Sequence, residues 1–526
     1  MIIARENPKV KRFFVFLARA VFPVSFRPGR GTLPEKFVLE DGMERLTEDY
    51  RENVRAISRL LATDESFDLI ERRLPVGRDE LTLFYIDGFA KDGALQKLMQ
   101  FCVGLPGTGS GRDAARRFSE AGIPYGNVEV TGDAGRMVTA ALSGVTLILG
   151  STFGDEAILV DARAYPARST DEPQSDRVMQ GARDGFVETL LFNVALIRRR
   201  IRDPDLRVKP LNLGGRARTD CAILYIEGRA DPAFLARLTK RLSALRPDSL
   251  TLGYESLAEL LIPRRWFNPF PKIRTTERPD CAAAHLCEGS VILLCDTSPQ
   301  AMILPTGIFD FLQESQDFYL PPLTGSYLRL VRLLTFLVSL VLTPLWYLCV
   351  RCPWLLPDSL SFLVPEEAGH FPILLQLFLV EFAVDGLKLA SMNTPDLLAN
   401  SMSVIGGLVL GDLAVKVGWL SGEVIFYMAI VAVAGFTQQN HELGYAMKFL
   451  RLAVMTLTAL FSWVGFLFGL ALIPVLLVTN AAVDGRRSYL YPLIPFNGRA
   501  LLSLFFRLPK SKMPTARARR PRGKER

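Results

Sequence analysis

Hydrophobic and polar positions change their pattern near residue 320 of this 526-residue chain. Before that point, short apolar runs alternate with charged stretches and acid–Gly turns, as in a soluble α/β region. After it the apolar runs lengthen: Leu333–Val350 has eighteen residues without a charge, and Leu452–Val478 is longer still. Runs of this length are sufficient to cross the hydrocarbon layer of a bilayer. The pattern therefore predicts an α/β soluble N-terminal region followed by an α-helical polytopic membrane domain.

The soluble region contains a repeated pattern. Leu81–Gln100 and Cys221–Lys240 each read as a short apolar strand, an acid–Gly turn and a helix, and they align at an offset of 140 residues. Gly144–Arg163 and Gly289–Gly307 each read as two buried strands joined by a polar turn. We expect two related small subdomains, each a small mixed sheet with helices. Chance similarity between generic strand–helix units is the alternative.

These patterns divide the chain into six parts. They are an N-terminal basic, amphipathic segment (1–65), a first α/β subdomain (66–170), a helical linker (171–208), a second α/β subdomain (209–315), a multi-span membrane domain (316–508) and a basic disordered tail (509–526). Within the linker, apolar residues of Gly181–Ile201 recur at helical spacing, which predicts an amphipathic helix with one buried face. Its Arg198-Arg199-Arg200 run is expected to offset the dipole of the helix C-terminus.

The distribution of charge bears on partners and location. The formal net charge is +8, and residues 507–526 contribute nine Lys or Arg against one acid. Beside apolar segments such a tail is expected to bind anionic lipid at the cytoplasmic surface, in preference to nucleic acid. Arg329 and Arg332 precede the first long apolar run, so the soluble region is also expected in the cytoplasm. The seven cysteines follow no disulfide framework.

Motifs that would indicate an enzyme are missing from the sequence. The three histidines lie far apart, and the C-x-x-C pair Cys349–Cys352 has no second pair and no nearby histidine. Gly104–Gly111 resembles a phosphate-binding loop but lacks the Lys that such a loop requires. We therefore expect no catalytic, cofactor-binding or metal-binding residues.

Ionisable residues interrupt the apolar segments between residues 371 and 436. Glu381 and Asp385 are four residues apart, as are Asp412 and Lys416, so each pair shares a helix face. Asp412 and Lys416 can neutralise each other, whereas the two acids cannot, which favours a polar interior or an aqueous path. An interfacial segment with solvated acids is the alternative. These four residues and Glu423 are the candidate pore or polar-core residues.

Several stretches carry a resemblance to a known family. They are the linker Gly181–Ile201, the stretches Arg274–Pro305 and Pro321–Phe336, and nearly all of the membrane half. Across them the chain resembles the GerA family of spore germination proteins, specifically its A-subunit type, with Ala182 where members usually have Pro. The runs Thr276–Asp280 and Asp296–Pro299 are most similar to a paralogue of the germinant-receptor A subunits.

The resemblance implies a protein of the spore inner membrane that acts in germination. A subunits of the family look like oligomeric, ion-conducting channels, so the expected function is release of cations across that membrane. Homo-oligomers and other germination proteins of the same membrane are the implied partners, together with the lipid bilayer. A non-conducting scaffold and a secondary transporter stay open as alternatives, although no inverted repeat is seen in the membrane half.

Overall fold

The computed structural model describes residues 45–89, 92–109, 111, 113–123, 127–165, 181–262, 267–365, 370–393, 413–438, 440–480, 483 and 487–507. Most of the predicted N-terminal basic segment and the whole predicted basic tail lie outside these ranges, as does Asp412.

Two five-stranded sheets form the soluble part. Their orders are β1-β2-β4-β5-β3 and β6-β7-β9-β10-β8. The strands are β1 Leu69–Val76, β2 Asp79–Ile86, β3 Val128–Thr131, β4 Thr146–Gly150, β5 Ala157–Val160, β6 Leu206–Leu213, β7 Thr219–Ile226, β8 Arg274–Thr276, β9 Val291–Cys295 and β10 Ala301–Leu304. All neighbouring strands in these two sheets pair antiparallel, so the expectation of mixed sheets is wrong. Short turns join β1 to β2 and β4 to β5, and such turns connect antiparallel neighbours only.

Four helices accompany each sheet in the same succession along the chain. They are α1 Tyr50–Leu61, α2 Asp92–Val103, α3 Ala114–Gly122 and α4 Ala134–Leu142 with the first sheet, and α5 Leu190–Arg200, α6 Pro232–Ala244, α7 Tyr254–Leu261 and α8 Pro279–Cys287 with the second. In each half one helix precedes the first strand, two follow the second strand and one follows the third. One succession of elements thus occurs twice, as a duplication predicts. The exact subdomain boundaries stay predictions.

Both faces of each sheet are covered by helices. In β7, Ala222 and Leu224 pack with α5 and α8, whereas Ile223 and Tyr225 pack with α6 and α7. This alternation follows from the two-residue period of a strand. The first sheet has the same arrangement, with α1 and α4 on one face and α2 and α3 on the other. Burial on both faces explains why the central strands read as short, nearly continuous apolar runs.

The linker helix is shorter than its pattern predicts. Helical spacing suggested a helix throughout Gly181–Ile201, but α5 begins only at Leu190. The backbone before it is held by tertiary hydrogen bonds instead: Phe186 N donates to Glu277 O at 2.8 Å. Phe186 is buried in the same core as α5, so its apolar character comes from packing outside the helix.

Five further helices follow the soluble part within the described ranges. They are α9 Pro322–Arg351, α10 Ile373–Asn393, α11 Gly422–Phe436, α12 His441–Thr479 and α13 Gly498–Phe505. Short helical turns occur elsewhere in the chain, at Thr63–Glu65, Ile308–Leu312, Gln316–Tyr319, Pro353–Leu355, Asp358–Leu363, Ala414–Lys416 and Arg487–Leu490. By length and composition, α9 and α12 could each cross a membrane, and α11 is a shorter apolar helix. The charged helix α10 has 21 residues.

Helix α12 is broken and folds back on itself. Ser462 has φ 52° and ψ −132°, which no α-helix accommodates. A Cβ on Gly465 would lie 1.9 Å from the carbonyl oxygen of Leu457, and one on Gly469 would lie 3.2 Å from the Cα of Val454. In a straight helix, residues 15 positions apart are separated by about 22 Å. The two halves of α12 therefore form an antiparallel hairpin, brought into close contact by the two glycines.

The helices have two ends, which we call near and far. The near end is where α9 begins beside the soluble part, and the C-terminal half of α12 returns to it, since Asn268 Nδ2 donates to Leu476 O. The far end is where α9 stops. There Trp346 Nε1 donates to Leu363 O, and Ser421 N donates to Gln376 Oε1 at the start of α10.

Candidate functional site

An ion-pair cluster lies between α9, α10 and α12. Glu381 and Asp385 on α10 face Lys448 and Arg451 on α12. Glu381 Oε1 is 3.2 Å from Lys448 Nζ and 2.5 Å from Arg451 Nη2. Lys448 also pairs with Asp385, and Arg451 Nη1 donates to the carbonyl of Ser339 on α9 at 2.6 Å. Two acids and two bases thus join three apolar helices, and we call these four residues the ion-pair cluster.

Helical spacing brings the four side chains together. The acids are four residues apart on α10 and the bases three apart on α12, so each pair projects from one face of its helix. Glu381 and Arg451 are each 6% exposed. Because two negative charges meet two positive ones, the cluster avoids most of the cost of an isolated buried charge.

Glu381 and Asp385 cannot neutralise each other, and their counter-charge is not apparent from the sequence around them. Lys448 and Arg451 provide it, but both stand just before the uncharged run that begins at Leu452. There they read as an ordinary basic flank. The signal that could have found them is spacing. The two bases are three residues apart and the two acids four, so each pair lies on one helix face and two neighbouring helices can bring the pairs together.

Hydrogen-bonding capacity is left over in the ion-pair cluster. Within the described part of the chain, Glu381 Oε2 and Arg451 Nε are buried without a hydrogen-bond partner. The side chain of Asp385 keeps 29% of its exposure. A buried polar atom without a protein partner favours an ordered water or an ion. The cluster can therefore hold the helices together through Glu381 and Arg451, while Asp385, paired with Lys448, stays partly exposed.

The other candidate residues lie elsewhere. Lys416 ends the short turn before Gly418, whose carbonyl accepts from His370 N at 3.0 Å, and this places the turn at the far end. Glu423 is in the first turn of α11, also at the far end. Asp412 lies outside the described residues, so its pairing with Lys416 stays a prediction. The structure brings Glu381 and Asp385 together, but not with Lys416 or Glu423.

A second group of charges joins the soluble part to α9. Asp317 Oδ2 lies 3.0 Å from Arg329 Nε and 3.0 Å from Arg332 Nη1. Arg332 Nη2 is 2.5 Å from Glu314 Oε2. Asp317 is fully buried, and both arginines are less than one-tenth exposed. The basic flank that precedes the first long apolar run therefore forms internal ion pairs.

A cleft of about 490 Å³ opens beside this group. It runs along one face of α9 past Leu328 and Val331 and ends at Thr335 and Thr437. Its charged members, Glu314 and Arg332, pair with each other, so the lining offers mainly aliphatic and hydroxyl contacts.

Three residues hold the linker against the second sheet, and we call them the linker clamp. Arg278 Nη2 donates to Ala182 O at 3.1 Å and to Asp280 Oδ2 at 2.8 Å, and Tyr319 OH donates to the same carboxylate. Burial alone would raise the pKa of Asp280, but hydrogen bonds from Arg278 and Tyr319 outweigh it and hold the pKa below its usual value. A Cβ on Gly181 would lie 2.5 Å from the Tyr319 ring. The clamp therefore connects the linker, α8 and the turn before α9.

The run Asp296–Pro299 holds the start of α5. Asp296 Oδ1 accepts from Leu190 N at 2.9 Å, and Thr297 N donates to Glu188 O at 2.6 Å. Helix α5 thus receives its N-terminal cap from a turn that is distant in sequence. Both runs that mark the resemblance to a receptor paralogue, Thr276–Asp280 and Asp296–Pro299, therefore fasten the linker.

Sites for other chemistry were also considered. In the ranges that the structure describes, no group of three or more His, Cys, Asp or Glu residues could hold a metal ion. The loop at Gly104–Gly109 follows α2, and Thr108 N donates there to Asp79 Oδ2 at 2.8 Å. This supports its interpretation as a connecting loop.

The chain was compared with known families, proteins and structures. A family model described as Bacillus/Clostridium GerA spore germination protein matches residues 56–520. Stage V sporulation protein AF of Bacillus subtilis (strain 168) is 37% identical over 446 residues, which cover 85% of this chain and 90% of that protein. Spore germination protein KA of the same strain is 27% identical over 452 residues, covering 84% and 82%. The N-terminal domain of the A subunit of the Bacillus megaterium spore germinant receptor GerK3 is 26% identical, with a TM-score of 0.38. The match covers 49% of this chain and 95% of that domain.

Proposed function

The chain belongs to the GerA family of spore germination proteins, and from this premise we propose that it forms an oligomeric channel that releases cations across the spore inner membrane. It acts in germination as a membrane subunit, in the manner of the A-subunit type. The greater similarity to stage V sporulation protein AF than to spore germination protein KA favours the AF-type paralogue.

The ion-pair cluster is the observation that carries this proposal. Charges inside apolar helices are costly, and in membrane proteins they mark ion pathways more often than chance. Here Glu381 and Arg451 are buried, whereas the Asp385 side chain keeps partial exposure beside Lys448. A carboxylate in this position lowers the barrier for a cation wherever water screens poorly.

Open positions on the helices support an oligomer. Within the described part of the chain, Gly386 on α10, Gly422 and Gly435 on α11 and Gly444 on α12 have no atom of a neighbouring element within 4 Å of where a Cβ would stand. Small residues on exposed helix faces let a second helix approach closely in a membrane. We infer that copies of the chain meet around an axis through these faces, with Asp385 of each copy turned toward the shared path.

The ends of the helices support a location for the soluble part. Helix α9 starts at the near end, and α12 finishes there, so the chain between them crosses from end to end an even number of times. The even number of crossings and the basic sequence beyond residue 508 together favour a cytoplasmic soluble region and a cytoplasmic C-terminus. Other germination proteins of the spore inner membrane are the proposed partners.

Two alternatives have their own signatures. A scaffold would use the ion-pair cluster only to pack α10 on α12, and purified protein in liposomes would carry no current. A secondary transporter would move ions without unitary current steps, and its flux would saturate with substrate.

The decisive experiment measures cation conductance of the purified protein in liposomes. Asp385→Asn combined with Lys448→Gln removes one acid and one base, so no buried charge is left unpaired by the change. We expect conductance to fall about tenfold, with a loss of cation selectivity, because the partly exposed carboxylate is gone.

The matched control is Asp358→Asn with Arg351→Gln. It also removes one acid and one base, but near the far end. This control should conduct like the unmodified protein. Unchanged conductance in the Asp385/Lys448 variant would show that the cluster is structural. No conductance in the unmodified protein would favour the scaffold.

A further inference from the structure

Two arginines at the junction of the soluble part and α9 have unused hydrogen-bond donors. Arg329 is 6% exposed, and its Nη2 has no partner among the described residues. Arg507 follows α13, and its Nε and Nη1 are likewise buried without a partner in the described part of the chain. Among the described residues, three nitrogen atoms of these two permanently charged guanidinium groups thus have no hydrogen-bond acceptor.

Both guanidinium groups contact Phe318. The Arg329 Cζ lies 4.9 Å from the centre of the Phe318 ring, and Arg507 Nη2 donates to the Phe318 carbonyl at 2.6 Å. Arg329 Nη1 donates to Ser503 O on α13, and the backbone N–H of Arg507 donates to Ser326 Oγ on α9. Each arginine is therefore fixed by groups on the other's helix.

A glycine makes room for this arrangement. A Cβ on Gly325 would lie 2.9 Å from Arg507 Cδ and 2.5 Å from the carbonyl of Asp317. Only a residue without a side chain allows the stem of Arg507 to lie against α9 at this point.

The local charge balance leaves a positive excess. Among the described residues of this group, Arg329, Arg332 and Arg507 contribute three positive charges and Asp317 and Glu314 two negative ones, an excess of one positive charge. Both acids hold Arg332, whereas Arg329 contacts Asp317 through Nε and keeps Nη2 without a described partner, and Arg507 keeps two such nitrogens. Forked guanidinium donors match the oxygens of a phosphate.

The same two helices also carry exposed apolar side chains near the arginines in sequence. Leu323, Tyr327 and Leu330 on α9 are 83%, 63% and 59% exposed, and Leu502 and Phe506 at α13 are 56% and 55% exposed. An anion bound by the arginines would thus carry its apolar portion along these faces, as a phospholipid does at a membrane interface.

We propose that Arg329 and Arg507 bind the phosphate of one anionic phospholipid at the near end of α9. This inference rests on the proposed placement of α9 in the membrane, but not on ion conduction. The site would couple the lipid headgroup to Phe318 and Asp317, which lie in the short segment that connects the soluble part to the helices.

Native mass spectrometry of the full chain tests the proposal. Protein in mild detergent is titrated with phosphatidylglycerol or phosphatidylcholine at high salt, where attraction between the basic C-terminal sequence and lipid is screened. We expect one phosphatidylglycerol per chain, and Arg507→Gln should weaken its binding about tenfold because a charge and a donor fork are removed. Arg351→Gln, at the other end of α9, should bind like the unmodified protein.

Equal binding of phosphatidylglycerol by Arg507→Gln and by the unmodified protein would overturn the site. Displacement of the lipid by equimolar inorganic phosphate would overturn the lipid assignment in favour of a free anion. If Arg507→Gln fails to fold, a photoactivatable phosphatidylglycerol on the unmodified protein decides the question. Its label should be recovered in peptides from α13 and the start of α9, and an even spread over all helices would contradict the proposal.

Discussion

Arg198 shows how a single side chain joins distant parts of the chain. It stands in the last turn of α5, yet its Nε lies 2.8 Å from Asp68 Oδ2 at the start of β1, and both side chains are at most 1% exposed. The arginine also donates to the carbonyl of Leu206 at 3.1 Å. Its place in a run of three arginines predicted a role at the helix dipole, because spacing cannot reveal a partner 130 residues away. At this scale the sequence indicates which residues are charged, and only the fold decides which charges meet.

Breaking this pair should destabilise the contact between the two sheets. Arg198→Met leaves Asp68 buried without a counter-charge, which costs about 3–5 kcal/mol. Hydrogen exchange of the full chain should report the loss as faster opening of α5 and β6. The double variant Arg198→Met/Asp68→Leu should recover part of the protection, because both charges are then gone. Arg73→Met, which breaks the exposed Arg73–Glu71 pair, should cost less than about 1 kcal/mol, and an equal loss in both single variants would refute the reasoning.

Elements with a strong local pattern could be predicted from the sequence, and those shaped by tertiary contacts could not. The apolar runs correctly indicated β2, β7 and the two strand pairs β4–β5 and β9–β10. The edge strand β8 has only three residues and no pattern of its own. The uncharged run that begins at Leu452 is long enough for one membrane-spanning helix, but the structure breaks the helix inside it. The position of the break depends on Gly465 and Gly469 meeting the preceding half, which no periodicity in the run reveals.

The hairpin in α12 can be tested by measuring the distance between two spin labels with electron paramagnetic resonance. Spin labels at Tyr445 and Val475, both exposed, are attached in a Cys287→Ser background. A straight helix would separate these positions by about 45 Å. The hairpin brings them to about 20 Å or less, since packed helices lie 8–10 Å apart. Gly465→Ala should lengthen and broaden the distance, because its Cβ would meet the Leu457 carbonyl, and a long distance in the unmodified hairpin would contradict the fold.

At the scale of the whole molecule, charges join what the apolar patterns keep separate. The linker clamp connects the second sheet to the turn before α9, the Asp317 group connects that turn to α9, and the ion-pair cluster connects α9 to α10 and α12. Patterns in the sequence correctly separated a soluble half from an apolar half, and they identified both acids of the cluster. They could not show these connections, because each ion pair unites segments whose local contexts are unrelated.

The continuous path from sheet to helices leads to a prediction about orientation. Since α9 begins and α12 finishes at the near end, the proposed membrane placement puts the soluble part and the near end on one side of the membrane and the segment around Phe362 on the other. We expect Leu252→Cys, in the second subdomain, to react with a membrane-impermeant maleimide only after cells expressing the protein are permeabilised. Phe362→Cys should react in intact cells. Both positions are at least 70% exposed, so access to the thiol itself does not limit the reaction. The opposite labelling would place the soluble part outside the cell, and equal labelling of the two positions in intact cells would mean that α9 does not cross.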